Sequence, residues 1–370
     1  MCRNANMQGL TRMNRPKTLI AKPIATSIAA VALMLASAYL TPARAAVREY
    51  FVAAEKTDWN YAPSGKNLMY PDKGLGVWGN HLRYKKYRYF AYTDASYKKR
   101  VPQPEWMGIL GPQLLAEEGD TLKVHFLNRT DKPLTIHPHG VHYDEANEGA
   151  DRKGPGGYVK PGQSFTYTWD ADANAAPGPN DPSSVVWLYH SHVDSVVEVY
   201  DGLIGTIVVT RKGMARGPDD PRPKDVDVSF TTLFMIFDEN GRQKLGPVRR
   251  VKDEEAEEEG NLKHAINGYI FANLPGLTMQ QGQRVRWHLV ALGSEVDLHT
   301  AHWHGQTVLE GGRRTDVIEL LPASMKTVDM QAVNPGHWMF HCHVADHITA
   351  GMYTHWIVRP SNASAHTAGH

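Results

Sequence analysis

The sequence predicts an all-β chain of two tandem Greek-key β-barrels, and three observations carry that expectation. Short runs rich in Val, Ile, Thr, Tyr and Phe alternate with Gly- and Pro-bearing turns, the pattern of a β-sandwich. One unit is used twice. Gly111-Pro112-Gln113-Leu114-Leu115-Ala116-Glu117-Glu118-Gly119-Asp120, with alternating Leu122, Val124 and Phe126 behind it, matches Leu274-Pro275-Gly276-Leu277-Thr278-Met279-Gln280-Gln281-Gly282-Gln283 with Val285, Trp287 and Leu289. The match continues through His137-Pro138-His139-Gly140 and His302-Trp303-His304-Gly305, then through residues 187–193 and 338–344, so tandem domains repeat at about 160 residues. Finally, 370 residues with 42% hydrophobic and 21% charged content suffice for two packed cores and argue against disorder.

Residues 1–45 hold Arg3, Arg12, Arg15, Lys17, Lys22 and Arg44, no acid, and an apolar stretch from Ile24 to Leu40. Small residues at Ala43-Arg44-Ala45 complete the pattern of a secretory signal peptide without a twin arginine, so the mature protein is expected to be exported, periplasmic or secreted. Without those six cations the formal charge of +1 falls to about −5, which points away from nucleic acid and anionic membranes as partners. Cys2 leaves with the leader and Cys342 remains as a lone thiol, so no disulfide forms.

Residues 46–212 are the first expected barrel and residues 225–360 the second. Between them, 213–224 crowd Gly, Pro and Asp into a linker composition. The small polar tail 361–370 is expected to be disordered, with His366 and His370 idle in it.

The chemistry concentrates in His341-Cys342-His343, followed by His347 and Met352. Thiolate, imidazole and thioether are the donors of a blue copper site, which shuttles one electron. On an extended strand side chains alternate, so Cys342 points one way while His341 and His343 point the other, and one strand can serve two copper sites. Three further clusters hold His-x-His pairs: His137/His139, His190/His192 and His302/His304. With His341 and His343 these make eight paired imidazoles, enough for three coppers, and His299 remains for the blue site. The first half lacks that site: Leu134 stands in place of His299, Ser191 of Cys342 and Leu203 of Met352. Each half therefore supplies half of the three-copper cluster, which must lie where two domains meet.

These residues resemble the multicopper oxidases, whose four motifs occur here in the usual order. The resemblance implies cupredoxin-like barrels and four coppers per subunit. Type 1 copper would take His299, Cys342, His347 and Met352, type 2 copper His137 and His302, and the type 3 pair His139, His190, His192, His304, His341 and His343. It also implies dioxygen as acceptor, an electron path from Cys342 to His341 and His343, and a homotrimer in which the first domain of one subunit faces the second of its neighbour, a head-to-tail contact that closes a ring. A copper nitrite reductase, also trimeric, needs only three His at its catalytic copper and a blue site in the first domain, against Ser191 and the full eight. A copper-storage or chaperone protein would favour Met-rich clusters, whereas Met325, Met330 and Met339 are scattered and read as core.

Over roughly residues 100–358 the chain resembles the ceruloplasmin and hephaestin branch, through residues 188–194, Gly202-Leu203-Ile204-Gly205 and His264-Ala265-Ile266-Asn267-Gly268. That branch implies a ferrous site made by Glu259, His264 and Asp346 beside the blue copper. Two carboxylates and an imidazole suit Fe(II) and stabilise Fe(III) more. Against this, Asp253 to Glu259 carries six acids in seven residues, a run usually found in solvated loops. The expected donor is thus a small reducing substrate, a metal ion or a phenol or aromatic amine. Asp144 and Glu145 are candidates to orient the histidines, with a solvated loop as the plainer reading.

Overall fold

The computed structural model describes residues 45–150, 154–246, 253–294 and 296–361. The expected leader before residue 45 and the tail beyond residue 361 lie outside the described residues.

The first half holds β1 (Val47–Asn60), β2 (Arg83–Tyr92), β3 (Gln113–Glu117), β4 (Thr121–Asn128), β5 (His137–Pro138), β6 (Ser164–Asp170), β7 (Ser184–His190), helix α1 (Ser195–Asp201) and β8 (Ile204–Thr210). Its two sheets run β2-β1-β4-β6 and β3-β8-β7-β5. A short ribbon follows, β9 (Ala215–Gly217) and β10 (Asp220–Pro223). The segment with linker composition is therefore a paired hairpin, with Pro221 and Pro223 buried.

The second half begins with β11 (Val228–Asp238), helix α2 (Glu254–Asn261), β12 (Leu262–Ile266), β13 (Thr278–Gln280) and β14 (Arg284–Ala291). It continues with β15 (His299–Trp303), β16 (Val308–Glu310), β17 (Arg313–Thr315), β18 (Val317–Leu320), β19 (Met325–Gln331), β20 (Gly336–Cys342), helix α3 (Ala345–Thr349) and β21 (Tyr353–Arg359). Its sheets run β12-β11-β14-β19-β16-β17 and β13-β21-β20-β15-β18. Two tandem cupredoxin-like barrels result.

The repeat holds at the level of register. β1 runs parallel to β4 as β11 does to β14, and β3 parallel to β8 as β13 does to β21. Most telling, His137 pairs with His190 across β5 and β7, and His302 pairs with His341 across β15 and β20.

Alternation along the strands explains the cores. On β4, Leu122, Val124 and Phe126 are buried while the intervening residues are half-exposed, and they pack with Tyr167, Trp169 and Ile207. Trp287, Trp303, Phe340 and Trp356 fill the second barrel. A third apolar cluster, with Ile109, Leu188, Val208, Leu233, Met235 and Tyr353, packs the two halves together. Among the described residues no helix is long and apolar enough to cross a membrane.

Candidate metal centre

The first cluster grows out of strand β20. Cys342 is fully buried in the second barrel, and the ladder sets it opposite Ala301 on β15, two residues beyond His299. The chain then turns into α3, which brings His347 back over the thiol. His347 Nδ1 lies 3.5 Å from Cys342 Sγ, His299 Nδ1 lies 3.9 Å from it, and the two nitrogens are 3.1 Å apart. Met352 is fully buried, and its carbonyl accepts from the Cys342 amide at 3.0 Å.

The geometry around these rings fixes their tautomers. Asp297, fully buried, takes the far side of the imidazole: His299 Nε2 lies 3.1 Å from its Oδ1. Asp297 is itself held by the Ile236 amide at 2.7 Å and the Ser294 amide at 2.8 Å. The Val296 carbonyl accepts from the His347 ring. Both Nδ1 atoms are thus left as lone-pair donors facing the sulfur, the state a metal requires. Burial holds His347 down at about 4, so its ring is neutral at ordinary pH, and pushes the Cys342 thiol up. Two imidazoles and one thiol with donor atoms within 4.8 Å fit a copper that prefers mixed nitrogen and sulfur ligands.

Two further clusters each contain four histidines. In the first half, ring centroids of His137 lie 5.4 Å from His139, 5.6 Å from His190 and 5.0 Å from His192. In the second, those of His302 lie 5.0 Å from His304, 5.1 Å from His341 and 5.3 Å from His343. Both clusters bring two Nε2 atoms face to face at 3.1 Å, His139 with His190 and His304 with His341.

Backbone carbonyls again select the tautomer. Nδ1 of His137, His190, His302 and His341 donates to the carbonyls of Glu148, Ser191, Asp316 and Cys342 at 2.7, 2.9, 3.0 and 2.7 Å. Each then offers Nε2. Burial keeps His139 and His341 at about 4 and His190 at about 3, so these rings bind a metal without first losing a proton.

Glycine at the end of each first pair is a packing requirement. Gly140 and Gly305 both have φ of 75°, and a Cβ there would fall 2.0 Å from the Trp187 ring and 2.8 Å from the Trp338 ring. Among the described residues, ring contacts join the four histidines within each half, and no ring contact joins a histidine of one tetrad to a histidine of the other. His304 and His343 are exposed.

The three expected ferrous ligands also come together. Glu259, His264 and Asp346 line one cavity of about 430 Å³ with Trp78, Thr349 and the ring of His347. His264 Nε2 is 3.8 Å from Glu259 Oε1, and its ring is 5.1 Å from that of His347. Neither nitrogen of the buried His264 has a hydrogen-bond partner, and burial holds the ring at about 3.

The acid run is a helix rather than a loop. Asp253 caps α2 by accepting from the Glu255 amide at 3.2 Å, and acids in the first turn suit the helix dipole. Trp78, which sequence reasoning passed over, donates from Nε1 to Glu259 Oε1 at 3.1 Å. Asp297 was missed likewise. Its one local signal is its place two residues before His299. Asp144 caps a short turn by accepting from the Asn147 amide.

Two family profiles match the chain, both described as multicopper oxidase, over residues 107–213 and 247–362. Hephaestin of Mus musculus is 36% identical over 349 residues, covering 86% of this chain and 30% of its own length. Ferroxidase HEPHL1 of Homo sapiens is 36% identical over 334 residues, covering 82% of this chain and 29% of its own length. The chain thus spans about 30% of these relatives. A crystal structure of a multicopper oxidase superposes with a TM-score of 0.57 at 24% identity, covering 84% of this chain and 89% of that one, and supports the fold alone.

Proposed function

The chain belongs to the multicopper oxidase family, and we propose that it couples one-electron oxidation of a small donor, Fe(II) in the first instance, to reduction of dioxygen. Four donors each give one electron, and one dioxygen takes four electrons and four protons to become two waters. Bound copper would supply the reversible one-electron storage that neither donor nor protein side chain provides.

His299, Cys342, His347 and Met352 would hold the type 1 ion, His137 and His302 the type 2 ion, and His139, His190, His192, His304, His341 and His343 the type 3 pair. Cys342 is joined by peptide bonds to His341 and His343, so the shortest covalent route from donor to oxygen lies along β20. The His347 ring, lining the cavity that holds Glu259, His264 and Asp346, is the entry point.

The observation that carries the ferrous reading is His264. A buried imidazole with both nitrogens unpartnered loses hydrogen bonds that water would provide, unless a ligand supplies them. Two carboxylates at the same cavity offer the charge a divalent cation needs. Comparing Fe(II) and a methoxyphenol as donors in wild type and in Glu259→Ala/Asp346→Ala tests this. Selective loss of the Fe(II) rate is expected; equal loss of both rates would defeat the ferrous site.

We also propose that the two histidine tetrads meet between subunits in a head-to-tail trimer. Each tetrad is partly exposed in the single chain, whereas an oxygen-reducing centre must exclude bulk water. Export, with removal of residues 1–45, completes the reading.

A further inference from the structure

We infer that Glu198, through Ser191, is a positioning residue for His190 and His192, taking over in the first barrel the structural task that copper and His347 share in the second. The inference rests on the copper reading above.

Hydrogen bonds around Ser191 repeat those around Cys342. The Thr135 amide donates to Ser191 Oγ at 3.0 Å, as the Thr300 amide does to Cys342 Sγ at 3.4 Å. The His192 amide donates to Thr135 Oγ1 at 2.9 Å, as the His343 amide does to Thr300 Oγ1 at 3.2 Å. The Ser191 amide donates to the Leu203 carbonyl at 3.2 Å, as the Cys342 amide does to that of Met352 at 3.0 Å. Leu134 and Leu203, both fully buried, fill the places of imidazole and thioether with hydrocarbon. The first barrel keeps the scaffold of a blue site without its donors.

One side chain completes the parallel. In the second barrel His347 reaches back from α3 to the sulfur of Cys342. In the first, Glu198 reaches back from α1: its carboxylate accepts from the Ser191 hydroxyl, and its Oε2 accepts from the Val193 amide at 3.0 Å. Glu198 is 2% exposed, an uncommon placement for a carboxylate that is not itself a ligand. Together the two bonds tie helix α1 to the turn that presents His190 and His192. Without a metal beneath that turn, they join the bonds to Thr135 and Leu203 in fixing its depth. A hydroxyl and a carboxylate cannot relay an electron as a thiolate-bound copper does, so the arrangement also confines electron entry to β20.

The test uses the full-length, copper-loaded protein, reading copper per chain, the visible thiolate-to-copper band and the near-ultraviolet band of the coupled copper pair. Glu198→Ala should lower the near-ultraviolet band at least threefold and leave the visible band in place. Glu198→Gln, whose amide can accept from Val193 and donate to Ser191, should restore most of it. A folded Glu198→Ala with an undiminished near-ultraviolet band overturns the inference, and so does a Gln variant as impaired as the Ala variant. If Glu198→Ala fails to fold, Ser191→Ala decides: the same selective loss supports the inference and an unchanged band overturns it. Absence of both bands from the wild type would instead count against the copper reading itself.

Discussion

Cys342 and His341 share a peptide bond and serve different clusters. The sulfur of Cys342 lies 3.5 Å from His347 Nδ1 in the core of the second barrel, while His341 Nε2 lies 3.1 Å from His304 Nε2 on the face where the tetrad sits. Strand alternation alone produces this separation, and it makes β20 the joint between the two proposed kinds of copper.

Cys342→Ser is the cleanest way to cut that joint. The hydroxyl keeps the shape but is a poor copper ligand. The variant should lose the visible band and nearly all donor oxidation, yet keep three coppers per chain and the near-ultraviolet band. Loss of every copper would show the clusters to be interdependent rather than joined only by the strand.

Asp297 should tune the blue site without touching it. Asp297→Asn can keep one oxygen as acceptor for both His299 Nε2 and the Ile236 amide, but its side-chain NH2 would then confront the Ser294 amide. Apoprotein stability should drop by about 1–3 kcal/mol, the cost of a buried polar group left unpaired. Removing a negative charge beside the ligand favours the reduced ion, so the type 1 potential should rise. A change of about 1.4 kcal/mol corresponds to about 59 mV for one electron. Redox titration of the visible band measures it, and a lowered potential would contradict the arrangement.

Copper-free protein should be sensitive to acid in a definite window. Burial is the leading reason that His139, His341 and His347 are held at about 4 and His190 and His264 at about 3, against 6.5 in an exposed ring. Between those values the unfolded chain binds protons that the folded apoprotein does not, so stability is complete above about pH 6.5 and falls as the pH drops toward about 4. The loss should reach several kcal/mol in order of magnitude, read as a falling Tm. A Tm independent of pH across this range would mean that these rings are charged or solvated when folded.

The proposed sharing of the tetrads between subunits has its own signature. His137→Ala/His190→Ala disables one tetrad and His302→Ala/His341→Ala the other. Neither chain alone should show the near-ultraviolet band, but coexpression should restore it at about a quarter of head-to-tail interfaces, the random-assortment value. No recovery would place each cluster within one chain.

Much of the clustering of the proposed copper donors was readable from sequence because these side chains come as local pairs. A His-x-His on a strand fixes its own geometry, and duplication of the pattern about 160 residues on exposed the second barrel and the missing donors at Leu134, Ser191 and Leu203. What escaped notice depends on contacts made across the fold. Trp78 meets Glu259 from 181 residues away. Asp297 is defined by its amide partners, not by any motif. Gly and Pro at 213–223 read as a connector, yet the same segment makes a hairpin in which Pro221 and Pro223 are buried. The acid run looked like a solvated loop because charge repulsion opposes structure, but Asp253 as a cap and the helix dipole offset that repulsion.

Copper content per chain, measured together with the mass of the native oligomer, bears most directly on the central claim that three sets of side chains in one chain amount to four metal sites. The account predicts four coppers per chain in a threefold assembly. One copper per chain, with the visible band intact and no near-ultraviolet band, would contradict it.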